Sequence, residues 1–181
     1  MMSDKRNIIM KKAKNIKLLA CDVDGVLTRG EIIILDRGSE LKIWNVKDGM
    51  GYNELLKTVP KIKTAWITGR QSNQVEKRAK DMGIDYLIQN CVNKKKALEK
   101  ILKKNNLSMT ETAYMGDDVV DLSVLKAVGF STCPIDACED VKKNVDYISS
   151  FEGGKGAMRE IIEIVMRAKG EWQKALSRYT C

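Results

Sequence analysis

Short apolar runs alternate with segments of helical periodicity along most of the chain. Runs of apolar or β-branched residues predict strands at residues 16–21, 62–67, 86–88, 112–115, 130–132 and 147–148. Apolar residues at helical spacing predict helices at residues 48–58, 72–82, 93–104, 119–128, 138–143 and 156–169. Because strands that alternate with helices form parallel sheets covered on both faces, the pattern predicts an α/β fold.

Two further β-rich runs, at residues 31–35 and 41–46, do not follow this alternation. They flank a polar link that contains Gly38, and such a link between two β-rich runs predicts a β-hairpin. Residues 32–35 are apolar at every position, whereas a strand with one solvated face alternates apolar and polar side chains. One apolar face is therefore expected to remain after the other packs on the domain, and such a patch usually marks an interface.

Composition favours one globular domain over residues 1–181, with residues 170–181 as a tail. Hydrophobic residues make up 44% and charged residues 31%, which excludes disordered and fibrous classes. No apolar run approaches the ~18 residues of a membrane span, and the first residues lack the apolar core of a signal peptide. Five scattered cysteines without a CxxC pair favour free thiols over disulfides or a zinc site. We therefore expect a cytoplasmic protein without a membrane partner.

The net charge of +8 follows from 32 basic and 24 acidic residues. Much of the excess is lysine on predicted helices, for example at residues 94–96 and 103–104. The aromatic content of 6% offers no row of rings on which bases could stack. The charge therefore indicates solvated helix faces and attraction for small anions, and we expect no nucleic-acid partner.

Polar side chains follow four of the predicted strands at the point where each strand ends. These residues are Asp22, Asp24, Thr68, Gly69, Arg70, Lys94, Asp117, Asp118 and Asp121. Because ligands of parallel sheets bind beyond the carboxyl ends of the strands, we expect these side chains to meet at one edge. Gly25 permits the turn that would let both early carboxylates face one cavity.

This set of groups suits phosphoryl chemistry. Clustered carboxylates repel one another unless a cation lies among them, and oxygen ligands suit Mg²⁺. A lysine and a hydroxyl beside Mg²⁺ can hold a phosphoryl group, and a neutralised carboxylate can attack phosphorus. Each piece alone is typical of a turn, a helix cap or a solvated charge. Their joint occurrence in this order predicts a functional site.

At these residues the chain resembles the haloacid dehalogenase superfamily of phosphotransferases, over residues 16–169. The segment DVDGVLT at residues 22–28 resembles its first motif, Thr68 the second, Lys94 the third, and GDDVVD at residues 116–121 the fourth. Two further segments are similar to those of the 3-deoxy-D-manno-octulosonate 8-phosphate phosphatases. They are WNVKDGMG at residues 44–51 and GGKGAMRE at residues 153–160.

The resemblance implies a Rossmann-like parallel sheet with helices on both faces, and a homotetramer of chains without a cap domain. The lack of a cap also follows from spacing. The stretch between the first motif and Asp48 has room for a hairpin flap at residues 31–46 and no more. One helix and one strand fill the stretch from Thr68 to Lys94.

The resemblance also implies the chemical roles. Asp22 would be the nucleophile that forms an aspartyl-phosphate, and Asp24 would protonate the leaving sugar oxygen and then activate water. Mg²⁺ would be bound by Asp22, Asp117 and the backbone carbonyl of Asp24. An acid two residues after the nucleophile is typical of the phosphatases of this superfamily rather than of its dehalogenases.

The remaining motif residues would bind or position the phosphoryl group. Thr68, with Gly69, and Lys94 would hold its oxygens. Asp118 and Asp121 are candidates for positioning the metal waters or Lys94.

Three cations, Lys47, Arg70 and Lys155, are placed where the carboxylate of a sugar-acid phosphate could be bound. Either an eight-carbon acid or a nine-carbon sialic-acid-type phosphate would suit them, since related enzymes for both share this scaffold. A broad sugar-phosphate phosphatase is a further possibility. Trp172 and Tyr179 in the tail could close the site of a neighbouring subunit or pack on their own.

A non-catalytic binding protein on the same fold is the alternative from another class. The intact set of Asp22, Asp24, Lys94 and Asp117 argues against it. A phospho-receiver domain also uses Asp, Thr and Lys after parallel strands. Its phosphorylated Asp stands alone on a later strand, which does not fit the order found here.

Overall fold

A computed structural model describes residues 2–58 and 62–180. Six strands form one parallel sheet in the order β5-β4-β1-β6-β7-β8, and two short strands form a separate antiparallel pair. The strands are β1 (Leu18–Cys21), β2 (Ile33–Ile34), β3 (Glu40–Leu41), β4 (Lys63–Ile67), β5 (Tyr86–Ile88), β6 (Thr112–Met115), β7 (Phe130–Cys133) and β8 (Tyr147–Ile148). The predicted α/β fold is confirmed.

Helices cover both faces of the sheet. They are α1 (Met2–Lys14), α2 (Val46–Met50), α3 (Asn73–Met82), α4 (Lys94–Asn105), α5 (Leu122–Leu125), α6 (Glu139–Lys142), α7 (Ala157–Ala168) and α8 (Trp172–Ser177). After α2 the chain continues as a π turn (Gly51–Leu55) and a 3₁₀ turn (Leu56–Thr58), and another 3₁₀ turn (Val119–Asp121) precedes α5. The predicted helix at 119–128 is thus shorter than expected.

Strand alternation divides the core into two layers. In β1, Leu19 and Cys21 pack with α1, α3 and α7, whereas Leu18 and Ala20 pack with α4, α5 and α6. Both sets are fully buried. Because helices cover the sheet on both sides, β1 is apolar at every position.

Two terminal helices were not predicted. The helix α1 packs against α7 and buries Ala13, and Lys12 Nζ lies 2.5 Å from Asp146 Oδ1. The tail contains α8, whose Trp172 and Ala175 are buried in the core of their own chain. Of the two alternatives for Trp172, the structure therefore shows the packing on its own subunit.

The hairpin is present but shorter than predicted, with two residue pairs: Ile33 opposite Leu41, and Ile34 opposite Glu40. Of the segment 41–46, predicted as its second strand, only Leu41 is paired, and Val46 already belongs to α2. The apolar side chains of residues 32–35 are exposed. Among the described residues, no helix is both long and apolar enough to cross a membrane.

Candidate active site

Side chains from three strand ends meet around the ammonium group of Lys94. Lys94 Nζ lies 2.7 Å from Asp22 Oδ2 and 2.8 Å from Asp121 Oδ1, and all three residues are buried. Asp22 follows β1, Lys94 begins α4 after β5, and Asp121 follows β6. The parallel register therefore brings together residues that are far apart in sequence.

The loop after β1 turns sharply at Gly25, whose φ is +87°. A Cβ atom at this position would lie 2.0 Å from Asp117 Oδ2, so only glycine fits. Val23 donates its backbone N–H to Asp22 Oδ1 at 2.7 Å, which fixes that carboxylate. Asp22 and Asp117 thus converge because a tight turn lets their loops touch.

The carboxylates outnumber the cations at this site. One oxygen from each of Asp22, Asp117 and Asp121 lies within 4.8 Å of the other two. Burial, and then the charges of Asp22 and Asp121, raise the pKa of Asp117 to about 7. Burial, and then the charge of Asp121, raise the pKa of Asp22 to about 6. Burial alone lowers the pKa of Lys94, but the charges of Asp121 and Asp22 raise it above its usual value.

The hydrogen bonds separate the roles of these carboxylates. Asp121 accepts from Lys94, from the Tyr114 hydroxyl at 2.7 Å and from the Asp117 N–H at 3.3 Å, so both of its oxygens have partners. By contrast, Asp117 Oδ1 and Asp24 Oδ2 are buried without a hydrogen-bond partner among the described residues. A bare buried carboxylate oxygen is costly, and a divalent cation among Asp22, Asp117 and Asp121 would satisfy Asp117 Oδ1. The donor set therefore fits Mg²⁺, with Asp121 better placed to hold Lys94.

The two other predicted motif residues differ in position. Thr68 is buried at the end of β4, the strand beside β1, and its hydroxyl accepts from the Arg70 N–H at 3.2 Å. Asp118 is exposed, and its carboxylate accepts from the Val119 N–H at 2.7 Å. Asp118 therefore caps its own turn, whereas Lys94 pairs with Asp22 and Asp121.

The hairpin contributes charges that the sequence analysis missed. Lys42 Nζ pairs with Asp24 Oδ1, and it lies 3.8 Å from Glu40 Oε2. Glu40 in turn pairs with Arg70. No sequence signal identifies Lys42, because an isolated lysine in a hairpin is typical of a solvated charge. Arg70, predicted to bind substrate, is thus engaged by Glu40 in this structure.

Two of the predicted substrate cations, Lys47 and Lys155, line one cavity of about 420 Å³ together with Arg159. Lys155 Nζ lies 2.5 Å from Glu152, and Arg159 Nε lies 2.8 Å from Glu163. Arg159, which was not predicted, also donates its backbone N–H to Asp48 at 2.8 Å. Burial raises the pKa of Asp48 to about 6.

The glycine pair at residues 153–154 packs against the loop after β1. A Cβ atom at Gly153 would lie 1.8 Å from the Gly25 carbonyl oxygen, and one at Gly154 would lie 2.6 Å from the Thr28 carbonyl carbon. Asn45 donates its side-chain N–H to the Gly154 carbonyl at 3.1 Å. Lys155 therefore follows directly on a turn packed against residues 25–28.

Residues 41–161 match the family of haloacid dehalogenase-like hydrolases. The chain is 40% identical over 167 residues to 3-deoxy-D-manno-octulosonate 8-phosphate phosphatase KdsC of Escherichia coli (strain B / BL21-DE3), a match that covers 92% of this chain and 88% of the relative.

Solved structures show the same likeness. A Moraxella catarrhalis 3-deoxy-D-manno-octulosonate 8-phosphate phosphatase, in complex with magnesium, phosphate and KDO, is 39% identical with a TM-score of 0.92, covering 96% of this chain and 98% of that one. A probable YrbI family phosphatase of Pseudomonas syringae is 38% identical with a TM-score of 0.93, covering 97% and 98%.

Proposed function

The chain belongs to the haloacid dehalogenase-like hydrolases and, within them, to the 3-deoxy-D-manno-octulosonate (KDO) 8-phosphate phosphatases, and we propose that it hydrolyses KDO 8-phosphate to KDO and phosphate. The observation that carries the proposal is the buried contact of Lys94 with both Asp22 and Asp121. It joins three of the four motifs in one site.

Asp22 is the nucleophile in this proposal. One of its carboxylate oxygens forms a bond to phosphorus as the bond from phosphorus to the sugar oxygen breaks, which gives an aspartyl-phosphate. Lys94 and Thr68 hold the phosphoryl oxygens, with the Gly69 backbone beside them. Asp121 and the Tyr114 hydroxyl keep Lys94 in place, since Asp121 accepts from both groups.

Asp24 moves the protons. As a carboxylic acid it gives its proton to the departing sugar oxygen, and the resulting carboxylate then takes a proton from the attacking water. Water oxygen bonds to phosphorus while the bond from phosphorus to Asp22 breaks. Inorganic phosphate leaves, and both carboxyl groups return to their starting states.

Asp22, Asp117 and the backbone carbonyl of Asp24 would hold Mg²⁺. When bound, the cation supplies positive charge that offsets the carboxylates and the phosphoryl group. The bare Asp117 Oδ1 and the raised pKa of Asp117, caused first by burial, support this assignment.

We expect Mg²⁺ to raise the melting temperature of the protein. Because the cation would bind only the folded carboxylate cluster, at 100 times its Kd it should add ~2.7 kcal/mol of stability. For a chain of this size that is a shift of roughly 5–10 °C. Differential scanning fluorimetry with and without Mg²⁺ measures it.

Asp117→Asn tests the same assignment, since it removes one charged ligand. The shift should largely disappear in this variant, and Asp140→Asn, an exposed carboxylate change, should keep it. An equal Mg²⁺ shift in Asp117→Asn and wild type would contradict the assignment.

The carboxylate of the sugar acid is bound, in this proposal, in the cavity of Lys47, Lys155 and Arg159. The position of the cavity beside residues 25–28 supports this, and Lys47 carries the assignment because Lys155 and Arg159 are paired with Glu152 and Glu163. Arg70, held by Glu40, lies on the hairpin side and would contact substrate only from there.

The decisive measurement compares phosphate release from KDO 8-phosphate and from a nine-carbon sialic-acid-type 9-phosphate. We expect kcat/KM to favour the eight-carbon substrate by at least ~10-fold, a preference within the range that binding contacts can supply. A preference for the nine-carbon substrate would identify the alternative enzyme instead.

A matched pair of variants locates the carboxylate. Lys47→Met should lower kcat/KM for KDO 8-phosphate by ~10–100-fold, the value of a hydrogen bond between charged groups. It should leave kcat/KM for p-nitrophenyl phosphate, which has no carboxylate, nearly unchanged. Lys103→Met, an exposed lysine of α4, serves as the control.

We also propose that the hairpin joins subunits, in the tetramer that the family resemblance implies. Ile32 and Ile34 are 56% and 69% exposed, and the apolar residues around them are exposed as well. A contiguous patch of this kind is typical of an interface.

The four described cysteines are free thiols, which supports a cytoplasmic location.

Replacing Ile32 and Ile34 together with Lys should produce smaller species in light scattering, because each interface would bury unpaired charges. The domain should remain folded by circular dichroism. Ile8→Lys, an equally exposed change on α1, should leave the size unchanged. A wild-type protein that is monomeric at micromolar concentration would contradict the proposal.

A further inference from the structure

The second arm of the hairpin, residues 40–44, has one exposed and one covered side. From residue 40 to residue 44 the exposure alternates, with Leu41 and Ile43 exposed while Glu40, Lys42 and Trp44 are partly covered. The rings of Trp44 and Trp66 are stacked, with their centroids 5.9 Å apart. Gln74 donates its side-chain N–H to the Glu40 backbone carbonyl at 2.8 Å. These two contacts anchor the hairpin on both sides of Lys42.

Lys42 is buried far more than its place in a hairpin requires. Its side chain is only 4% exposed, although a lysine here could extend into solvent. Burying an ammonium group costs free energy unless it is paired, and here the ammonium pairs with Asp24 Oδ1. Since Trp44 and Gln74 already hold the hairpin, this charge is not needed to attach it.

The two oxygens of Asp24 are in different situations. Lys42 occupies Oδ1, whereas Oδ2 is buried and has no hydrogen-bond partner among the described residues. A carboxyl group that exchanges a proton with substrate needs one free oxygen and a fixed orientation. The pairing with Lys42 fixes the orientation through Oδ1, and Oδ2 remains without a partner among the described residues.

We propose that Lys42 is a positioning residue that fixes the Asp24 carboxyl group by its Oδ1 and leaves Oδ2 to exchange the proton. The inference rests on the proposed function, because it assumes that Asp24 is the acid and base of the reaction. Lys42 itself touches neither the phosphoryl group nor the sugar in this role.

A double-mutant cycle tests the proposal with KDO 8-phosphate and p-nitrophenyl phosphate. Lys42→Met keeps the aliphatic stem but removes the donor. It should lower kcat for KDO 8-phosphate by ~10-fold or more, with KM within about twofold of wild type, because positioning is lost but binding is not. The loss should be smaller for p-nitrophenyl phosphate, whose leaving group needs little protonation. Lys42→Arg should restore part of kcat, and Lys63→Met, which breaks an exposed ion pair elsewhere, should change nothing.

Coupling between the two residues gives the decisive result. In the Asp24→Asn background, Lys42→Met should cause no further loss, because the carboxylate it positions is absent. If the loss of kcat in the double variant equalled the product of the losses in the two single variants, the role of Lys42 would be overturned. An effect of Lys42→Met on KM alone would overturn it as well. Either result would leave the phosphatase assignment intact. A wild-type protein inactive on every phosphomonoester would instead overturn the proposed function, and this role with it. If Lys42→Met does not fold, Lys42→Gln replaces it in the same cycle.

Discussion

Replacing Asp22 with Asn is expected to abolish phosphate release, with a loss of roughly 10³-fold or more. The amide is a poor nucleophile for phosphorus, and the change also removes one anionic metal ligand. Lys94, which contacts Asp22 at 2.7 Å, would lose one of its two carboxylate partners. Steady-state phosphate release from KDO 8-phosphate and p-nitrophenyl phosphate measures the loss.

Asp140→Asn provides the matched control for this experiment. Asp140 is an exposed carboxylate on α6, so the same chemical change there should leave the rate near that of wild type. The Asp22 variant should still fold, because Asp121 continues to pair with Lys94. If Asp22→Asn retained more than a few per cent of the wild-type rate, the assignment of Asp22 as nucleophile would be wrong.

Asp24→Asn should have the second-largest effect, a loss of roughly 10²–10⁴-fold for KDO 8-phosphate. The variant lacks the acid that protonates the leaving sugar oxygen. Its metal site should be nearly intact, because the expected ligand at this position is the backbone carbonyl. Its Mg²⁺-dependent melting shift should therefore resemble that of wild type.

The leaving group separates this effect from a general loss of the site. The leaving group of p-nitrophenyl phosphate is p-nitrophenolate, which departs as a stable anion without a proton. The loss for this substrate should therefore be clearly smaller than that for KDO 8-phosphate. Equal losses for the two substrates would count against Asp24 as the acid.

The inner strands β1, β4, β6 and β7 could be predicted from sequence because they are largely buried on both faces. Their apolar runs end where the loops begin, and Tyr86–Ile88 and Thr112–Met115 were predicted with these bounds. The helix α1 was missed because it is largely polar and has no continuous apolar stripe. The hairpin was predicted too long, because its β-rich runs contain more residues than the two pairs that form backbone ladder contacts.

The candidate site was predictable only as far as strand ends determine it. Asp22, Thr68, Lys94 and Asp117 each follow a strand, so topology alone gathers them. Contacts between the hairpin and Asp24 depend on how the hairpin folds back over 18 residues, and no local pattern encodes that. Tyr114 offered a weak signal, since a tyrosine in a buried strand needs a hydrogen-bond partner.

The close packing of two glycine turns and the loop after β6 limits how this enzyme could be redesigned. Gly25 leaves no room for a methyl group beside Asp117, and Gly153 leaves none beside the Gly25 carbonyl. Three segments therefore pack closely against one another: the loop after β1, the loop after β6 and the turn at residues 153–154. Transplanting the DVDG segment alone into another α/β scaffold would not reproduce the path of its backbone. A functional graft would need all three loops, taken together as one interlocking unit.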